Sequence, residues 1–349
     1  MNEYIQLLQA LISTPSFSGE EENAAQIIRD FLKTKNIRFL QKGNNTWATN
    51  SFWKEGLPVV LLNSHIDTVK PAGGYTRNPF SPDIEDGKLY GLGSNDAGGP
   101  LVSLLAVFVH FYNKEELPFN LIFAATCEEE ISGFNGIESI INELGNVDLA
   151  IVGEPTLMQM AIAEKGLMVL DCTAYGKSGH AARNEGINAI YKAIADIDIL
   201  KNYKFEKSSD LLGEVKLTVS MINAGTQHNV VPDRCSFVVD VRTNEHYSNE
   251  EACRLISGLV ESEVKARSFR LNSSGISVSH PFVQRGLSLG LSCYGSPTTS
   301  DQAVMPYLSL KIGPGDSARS HTADEFIFVN EIEEAFNLYT QLLDSLVLG

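Results

Sequence analysis

The chain has no surplus of basic residues. Lys and Arg total 27 against 43 Asp and Glu, giving a formal net charge of -16. Phosphate binding needs a cationic face, so nucleic acid is excluded as an expected partner. Long apolar runs are also missing: nothing approaches the roughly 18 consecutive apolar residues that span a bilayer, and no membrane association is expected. The opening MNEYIQLLQALISTPSFSG has no basic segment followed by an apolar one, so it does not read as a secretory signal. Cysteine is sparse. Cys127, Cys172, Cys235, Cys253 and Cys293 are odd in number, far apart and without a CxxC pair. That pattern argues against a disulfide framework and for a reducing compartment, so a cytoplasmic protein is expected. Internal repeats and low-complexity linkers are absent as well.

What is present is the balance of an ordinary globular protein. The 349 residues are 43% hydrophobic and 20% charged, a length that fits about two domains. Residues Glu3 to Ile12 and Glu20 to Lys35 read as amphipathic helices, the second with Ser18 as its capping residue. Apolar runs at Val59–Asn63, Asn120–Ala125 and Leu149–Val152 read as strands, with a helix from Leu101 to Tyr112 between the first two. Alternating strands and helices imply an α/β layer with a mixed, mostly parallel sheet. Near Lys165 the texture changes. Strands at Leu167–Ala174, Val215–Asn223 and Cys235–Arg242, a helix over GINAIYKAIADIDIL and another over Asn249–Val264 make a smaller α+β, ferredoxin-like module. From about His280 the α/β texture returns, ending in a helix from Val329. The simplest arrangement is a domain of residues 1–164 and 280–349, interrupted by an inserted domain of residues 165–279.

Chemistry collects at strand ends. The run VVLLN leads straight into Ser64-His65-Ile66-Asp67, where His65 and Asp67 point the same way from an extended chain. The pair reads either as a buried histidine with a hydrogen-bond partner or as a metal ligand oriented by a carboxylate. Gly91-Leu92-Gly93-Ser94-Asn95-Asp96 does not match GxGxxG, and no P-loop lysine follows. Its glycines fold the backbone around Asp96, as a capping residue or as a carboxylate whose two oxygens bridge two cations. Glu128-Glu129-Glu130 follows the strand NLIFAA, and Glu154 follows another. A solvated loop and an acidic site are both open readings of the triple acid. His321 lies between the last strand and the last helix. Two histidines and several carboxylates suit Zn2+, Co2+ or Mn2+ better than Ca2+ or Mg2+. Two sites sharing a carboxylate would lie roughly 3.5–4 Å apart. His180, in Gly176-Lys177-Ser178-Gly179-His180-Ala181, is set apart from the remaining histidines by the glycines that expose it.

In order along the chain, SHIDTV, GxGxxD, TxxEE, GEPT, GKxxHA, NVVPD, TSD and HTADE resemble the M20 metallopeptidases and deacylases. That group includes acetylornithine deacetylase, succinyl-diaminopimelate desuccinylase and carboxypeptidase G2, and the resemblance runs over essentially the whole chain. It implies a zinc-peptidase-like catalytic domain, an inserted lid and dimerisation domain, and two divalent ions, Zn2+ by default with Co2+ or Mn2+ as alternatives. His65, Asp96 and Glu154 would hold one ion; Asp96, Glu130 and His321 the other. Asp67 would orient His65, and Glu129 would be the general base, which leaves Glu128 outside the site. His180 resembles the histidine that reaches across a homodimer to stabilise the oxyanion. Asn229, Arg242, Thr299 and Ser300 resemble substrate contacts.

The sequence departs from the family at Leu92, where relatives carry Arg, and at Ala97-Gly98, where they carry Met-Lys. The glutamate of GEPT favours deacylases and aminopeptidases over carboxypeptidases. The expected activity is removal of an acyl group from a small N-acyl amino acid, with N-acetylornithine in arginine biosynthesis first. Succinyl-diaminopimelate desuccinylase and a dipeptidase or aminopeptidase are the enzymatic rivals. A non-catalytic binding protein and, from the GxG turn alone, a dinucleotide-binding oxidoreductase are the rivals of other classes.

Overall fold

The computed structural model describes residues 1–344 and 346–348. Contacts divide the chain into two compact units, residues 1–162, 275–294 and 300–349, and residues 163–274 with 295–299. In the first unit the segments Val59–His65, Asn120–Thr126 and Leu149–Val152 are buried at every position, the mark of strands covered on both faces. Val59–His65 pairs in parallel with both of the others, and Ser309–Lys311 pairs in parallel with Leu149–Val152. Asn45–Thr49 joins Asn120–Thr126 in the antiparallel sense, so the nine-stranded sheet is mixed with a parallel centre. The strands Val59–His65, Asn120–Thr126 and Leu149–Val152 end at His65, two residues before Glu128, and just before Gly153-Glu154. Strand order departs from chain order here, and such crossings open a crevice at the carboxyl ends of the strands.

Helix Gly99–Phe111 is apolar nearly all round because it is enclosed, packing on the sheet and on helix Val329–Leu343. Phe108 stacks near Phe123 with ring centroids 5.8 Å apart. The first two helices, Asn2–Ile12 and Glu22–Thr34, bury one stripe each, Leu8 and Ile12 on one and Ile28 and Leu32 on the other. Ser18 does not cap the second helix: Glu21 holds the cap position and makes no side-chain cap bond, while the Ser18 hydroxyl donates to Asp67 Oδ2 at 2.7 Å.

The second unit has the order strand, helix, strand, strand, helix, strand. Its antiparallel sheet runs Lys216–Ala224, Arg234–Arg242, Met168–Tyr175, Glu263–Ala266, with helices Ala189–Asn202 and Asn249–Ser257. This is the ferredoxin-like arrangement expected from the alternating pattern. The expected helix over Asn249–Val264 is shorter than the sequence implied. It stops at Ser257, Gly258 follows, and Glu263–Ala266 pairs with Met168–Tyr175 instead. Gly258 weakens the helix, and Glu263–Ala266, with the β-branched Val264, gives the sheet its fourth strand. Among the described residues no helix is long and apolar enough to cross a membrane.

Candidate metal centre and active site

His65 sits on the last residue of its strand and is 2% exposed. Its Nδ1 lies 2.9 Å from the Asp67 carbonyl oxygen, which accepts only if that nitrogen carries the proton. Nε2 then presents its lone pair to Asp96 Oδ1 at 3.3 Å and Glu154 Oε1 at 3.9 Å. A lone pair facing two carboxylates calls for a cation. In the protein alone that cation is a proton. Burial opposes it, yet the Asp67 and Asp96 carboxylates outweigh burial and hold the His65 pKa well above its ordinary value.

Asp96 is where the two halves of the site meet. Its Oδ1 faces His65 and its Oδ2 lies 3.7 Å from His321 Nε2. His321 Nε2 is in turn 3.0 Å from Glu130 Oε2. The bond to Glu130 outweighs burial and raises the His321 pKa to about 9. The ligand-type atoms of His65, Asp96 and Glu130 fall within 4.8 Å of one another, as do those of His65, Glu129 and Glu154. Glu154 Oε1 is buried without a hydrogen-bond partner among the described residues. Burial, then Asp96, pushes the Glu154 carboxyl up to about 8, and burial lifts Glu129 well above the ordinary carboxylate range. An orphaned buried oxygen, opposed carboxylates and two imidazoles fit a pair of divalent cations, which would remove the repulsion that protons otherwise relieve.

The backbone makes this convergence possible. The turn after Gly91 carries Gly93 at φ 75°, where an added Cβ would lie 2.5 Å from Thr68 Cγ2. Three of its N–H groups, from Gly93, Asn95 and Asp96, donate to the Glu325 carboxylate at 3.1, 2.9 and 3.0 Å. Asn95 donates to the Asp316 carbonyl at 3.0 Å and accepts from the Asp316 N–H at 3.0 Å, tying this turn to the segment that delivers His321. Asp67 accepts from the N–H groups of Glu129 and Glu130, both at 3.1 Å. Glu128 turns away and bonds Asn135 at 2.8 Å.

Of the expected site residues, the structure brings together His65, Asp67, Asp96, Glu129, Glu130, Glu154 and His321. His180, Asn229, Arg242 and Thr299 belong to the second unit. His180 lies in a two-residue strand, Gly179–His180, beside Val230–Val231, and the Asn229 carbonyl accepts from the Ala181 N–H at 3.0 Å. Arg242 is gripped by Asp240 at 2.8 and 3.1 Å. The Thr299 hydroxyl donates to the Lys165 carbonyl at 3.1 Å, and Ser300 caps the short helix Asp301–Val304. Sequence reasoning missed the work of Glu325, Asp301 and Glu21. Asp301 is 7% exposed and accepts from Asn63 at 2.8 Å and Thr126 at 3.0 Å. Glu325 and Asp301 lie inside the quoted HTADE and TSD strings, but nothing local shows that an acid there will be buried.

Residues 61–345 match the sequence family described as Peptidase family M20/M25/M40. The chain is 24% identical to the succinyl-diaminopimelate desuccinylase of Wolbachia pipientis wMel, over 98% of this chain and 92% of that protein. It is 27% identical to the Corynebacterium glutamicum protein of the same name, over 98% of this chain and 96% of that one. Among solved structures it resembles the YXEP protein of Bacillus subtilis, described as a dinuclear metal binding peptidase from the M20 family. That likeness has a TM-score of 0.77 at 17% identity and covers 100% of this chain and 99% of the other. The clustered histidines and carboxylates, the mixed sheet that delivers them and the length of the match agree, and the chain belongs to peptidase family M20/M25/M40 as a metal-dependent amidohydrolase.

Proposed function

We propose that the protein hydrolyses the amide of a small N-acyl diamino acid, with N-succinyl-diaminopimelate the first substrate to test. The observation that supports the reaction is Asp96 placed between two histidines with one oxygen toward each, while the Glu129 carboxylate gathers with His65 and Glu154. His65, Asp96 and Glu154 would hold one ion and Asp96, Glu130 and His321 the other. When bound, such a pair polarises the scissile carbonyl and makes water acidic enough to give up its proton near neutral pH. Glu129 takes that proton and returns it to the leaving amine. Asp67 fixes the His65 ring through the peptide group that follows it.

The substrate class rests on the desuccinylase relatives, and these favour a succinyl over an acetyl group. N-acetylornithine, the first expectation from sequence motifs, becomes the second candidate. A panel of N-succinyl and N-acetyl diaminopimelate, ornithine, citrulline and lysine, with dipeptides alongside, decides the matter. Turnover confined to dipeptides rejects the deacylase reading in favour of a peptidase.

The second unit is proposed to serve the lid and homodimer. Its edge strand Lys216–Ala224 exposes Met221 and Ile222, and helix Ala189–Asn202 exposes Tyr191 and Ile194. An exposed edge with apolar side chains is costly for a monomer and is satisfied by pairing with a copy of itself. His180, Asn229, Arg242, Thr299 and Ser300 keep the substrate-facing roles that the family resemblance implies. Sedimentation tests the dimer: a monomer at micromolar concentration rejects it. Alanine at His180 tests the oxyanion role, which predicts a fall in kcat with little change in KM.

A further inference from the structure

The turn that carries Glu129 and Glu130 is held by its backbone, one amide at a time. The N–H groups of Glu129 and Glu130 donate to the two oxygens of Asp67, both at 3.1 Å. The N–H of Glu128 donates to Glu21 Oε1 at 3.2 Å. Three successive amides therefore end on two buried carboxylates. Both carboxylates are anchored from the loop between the first two helices. Ser18 donates to Asp67 Oδ2 at 2.7 Å. Glu21, 0% exposed, also accepts from the Gly19 N–H at 2.6 Å and from Asn44 Nδ2 at 2.9 Å.

The ordinary reading of an acid at a helix start is that it serves its own helix. Glu21 occupies the cap position of Glu22–Thr34 without making a side-chain cap bond. Its oxygens are spent on the loop, on Asn44 and on the acidic turn 107 residues away in sequence. A carboxylate buried this completely persists only where donors surround it. Both residues also precede the family match, which starts at residue 61.

We propose that Ser18 and Glu21 are positioning residues for the turn Glu128–Glu130, setting the backbone from which Glu129 and Glu130 project. The proposal rests on the reading of Glu129 as the general base. A turn displaced by a fraction of an ångström leaves the carboxylate present but misaimed at the water proton, which lowers kcat and leaves substrate binding alone.

The test uses the full chain reconstituted with Zn2+ and four variants: Ser18→Ala, Ser18→Thr, Glu21→Ala and Glu21→Gln. Amide hydrogen exchange at residues 128–130, kcat, KM, metal content and Tm are measured for each. Both alanine variants should exchange faster at residues 128–130 and, at saturating Zn2+, lose about tenfold in kcat with KM unchanged, while affinity for the ion that Glu130 would hold falls. Threonine keeps the hydroxyl, and glutamine keeps an oxygen for the Gly19 and Glu128 amides, so both should restore slow exchange and turnover. Unchanged exchange in the alanine variants overturns the proposal. So does faster exchange with wild-type kcat, or loosening spread over the whole chain with a lowered Tm in both. A Glu129→Ala variant run in parallel separates the two readings. If it keeps turnover the base assignment fails, while exchange and kcat in the Ser18 and Glu21 variants still decide the positioning.

Discussion

The Glu325 carboxylate holds the backbone of Asp96, accepting its N–H at 3.0 Å together with those of Asn95 and Gly93. Burial, with Asp96 beside it, pushes the Glu325 carboxyl up to about 8 against the pull of those three donors. Asp96 thus faces both histidines from a turn that a buried acid keeps in shape. Glu325→Ala strands three buried N–H groups, each costing about 1–3 kcal/mol if left unmet. Because Asp96 serves both halves of the site, the variant should lose affinity for both ions together, by tenfold or more. Metal titration by calorimetry checks this, and loss of one ion with normal affinity for the other would contradict it.

Glu129 projects among His65, Glu154 and Glu130 but is not assigned as a ligand. Glu129→Ala should keep its metal content and lose about 10²–10⁴-fold in kcat, the range for a positioned general base. Elemental analysis and single-turnover rates on one preparation make the measurement. Loss of metal in proportion to activity would move Glu129 into the ligand set.

If Asp96, Glu130 and Glu154 hold the two ions as proposed, chelation would remove the charge that offsets their repulsion. Dialysed protein should lose activity, regain it with Zn2+, Co2+ or Mn2+, and carry about two ions per chain when restored. Ligand binding stabilises the native state by about 4 kcal/mol at a thousandfold excess over Kd, so Tm should rise on reloading. A restored enzyme with a single ion would contradict the shared role of Asp96.

Asp301 is buried, bonded by Asn63 and Thr126, and burial raises its carboxyl from 3.8 to about 6. Its folded pKa exceeds the unfolded one, so between those values the native state holds more protons. Its contribution to stability is therefore greatest below the lower value and is lost as pH rises through about 6. Asp301→Asn abolishes that titration while keeping an oxygen for both donors. In chelated protein, the Tm of the variant should gain on the wild type as pH rises from about 4 to 7. A difference that stays flat over the range means Asp301 does not titrate there.

Much of the site was legible because its residues sit at strand ends, where a local signal marks them. VVLLN before His65 and NLIFAA before the acidic turn announce buried strands by composition alone. The chain between His321 and Glu325 carries no such signal. His321 and Asp324 adopt φ of 58° and 54°, and their loop is shaped by bonds to Asn95, Thr76 and the Asp96 turn. Ser18 shows the same limit in a smaller way. A serine before acidic residues satisfies every local rule for a helix cap, yet Asp67, 49 residues on, takes its hydroxyl.

Sequence by itself determined the class of chemistry, the α/β texture with its insertion and the residue types that converge. Hydrophobic periodicity and the chemistry of histidine and carboxylate are local properties. Only the tertiary structure decided that Asp96 turns one oxygen to His65 and the other to His321, and that Asp67, Glu21 and Glu325 hold the turns through backbone amides. Those relations join segments far apart in the chain. Their energy comes from burying donors and acceptors together, which no local pattern records.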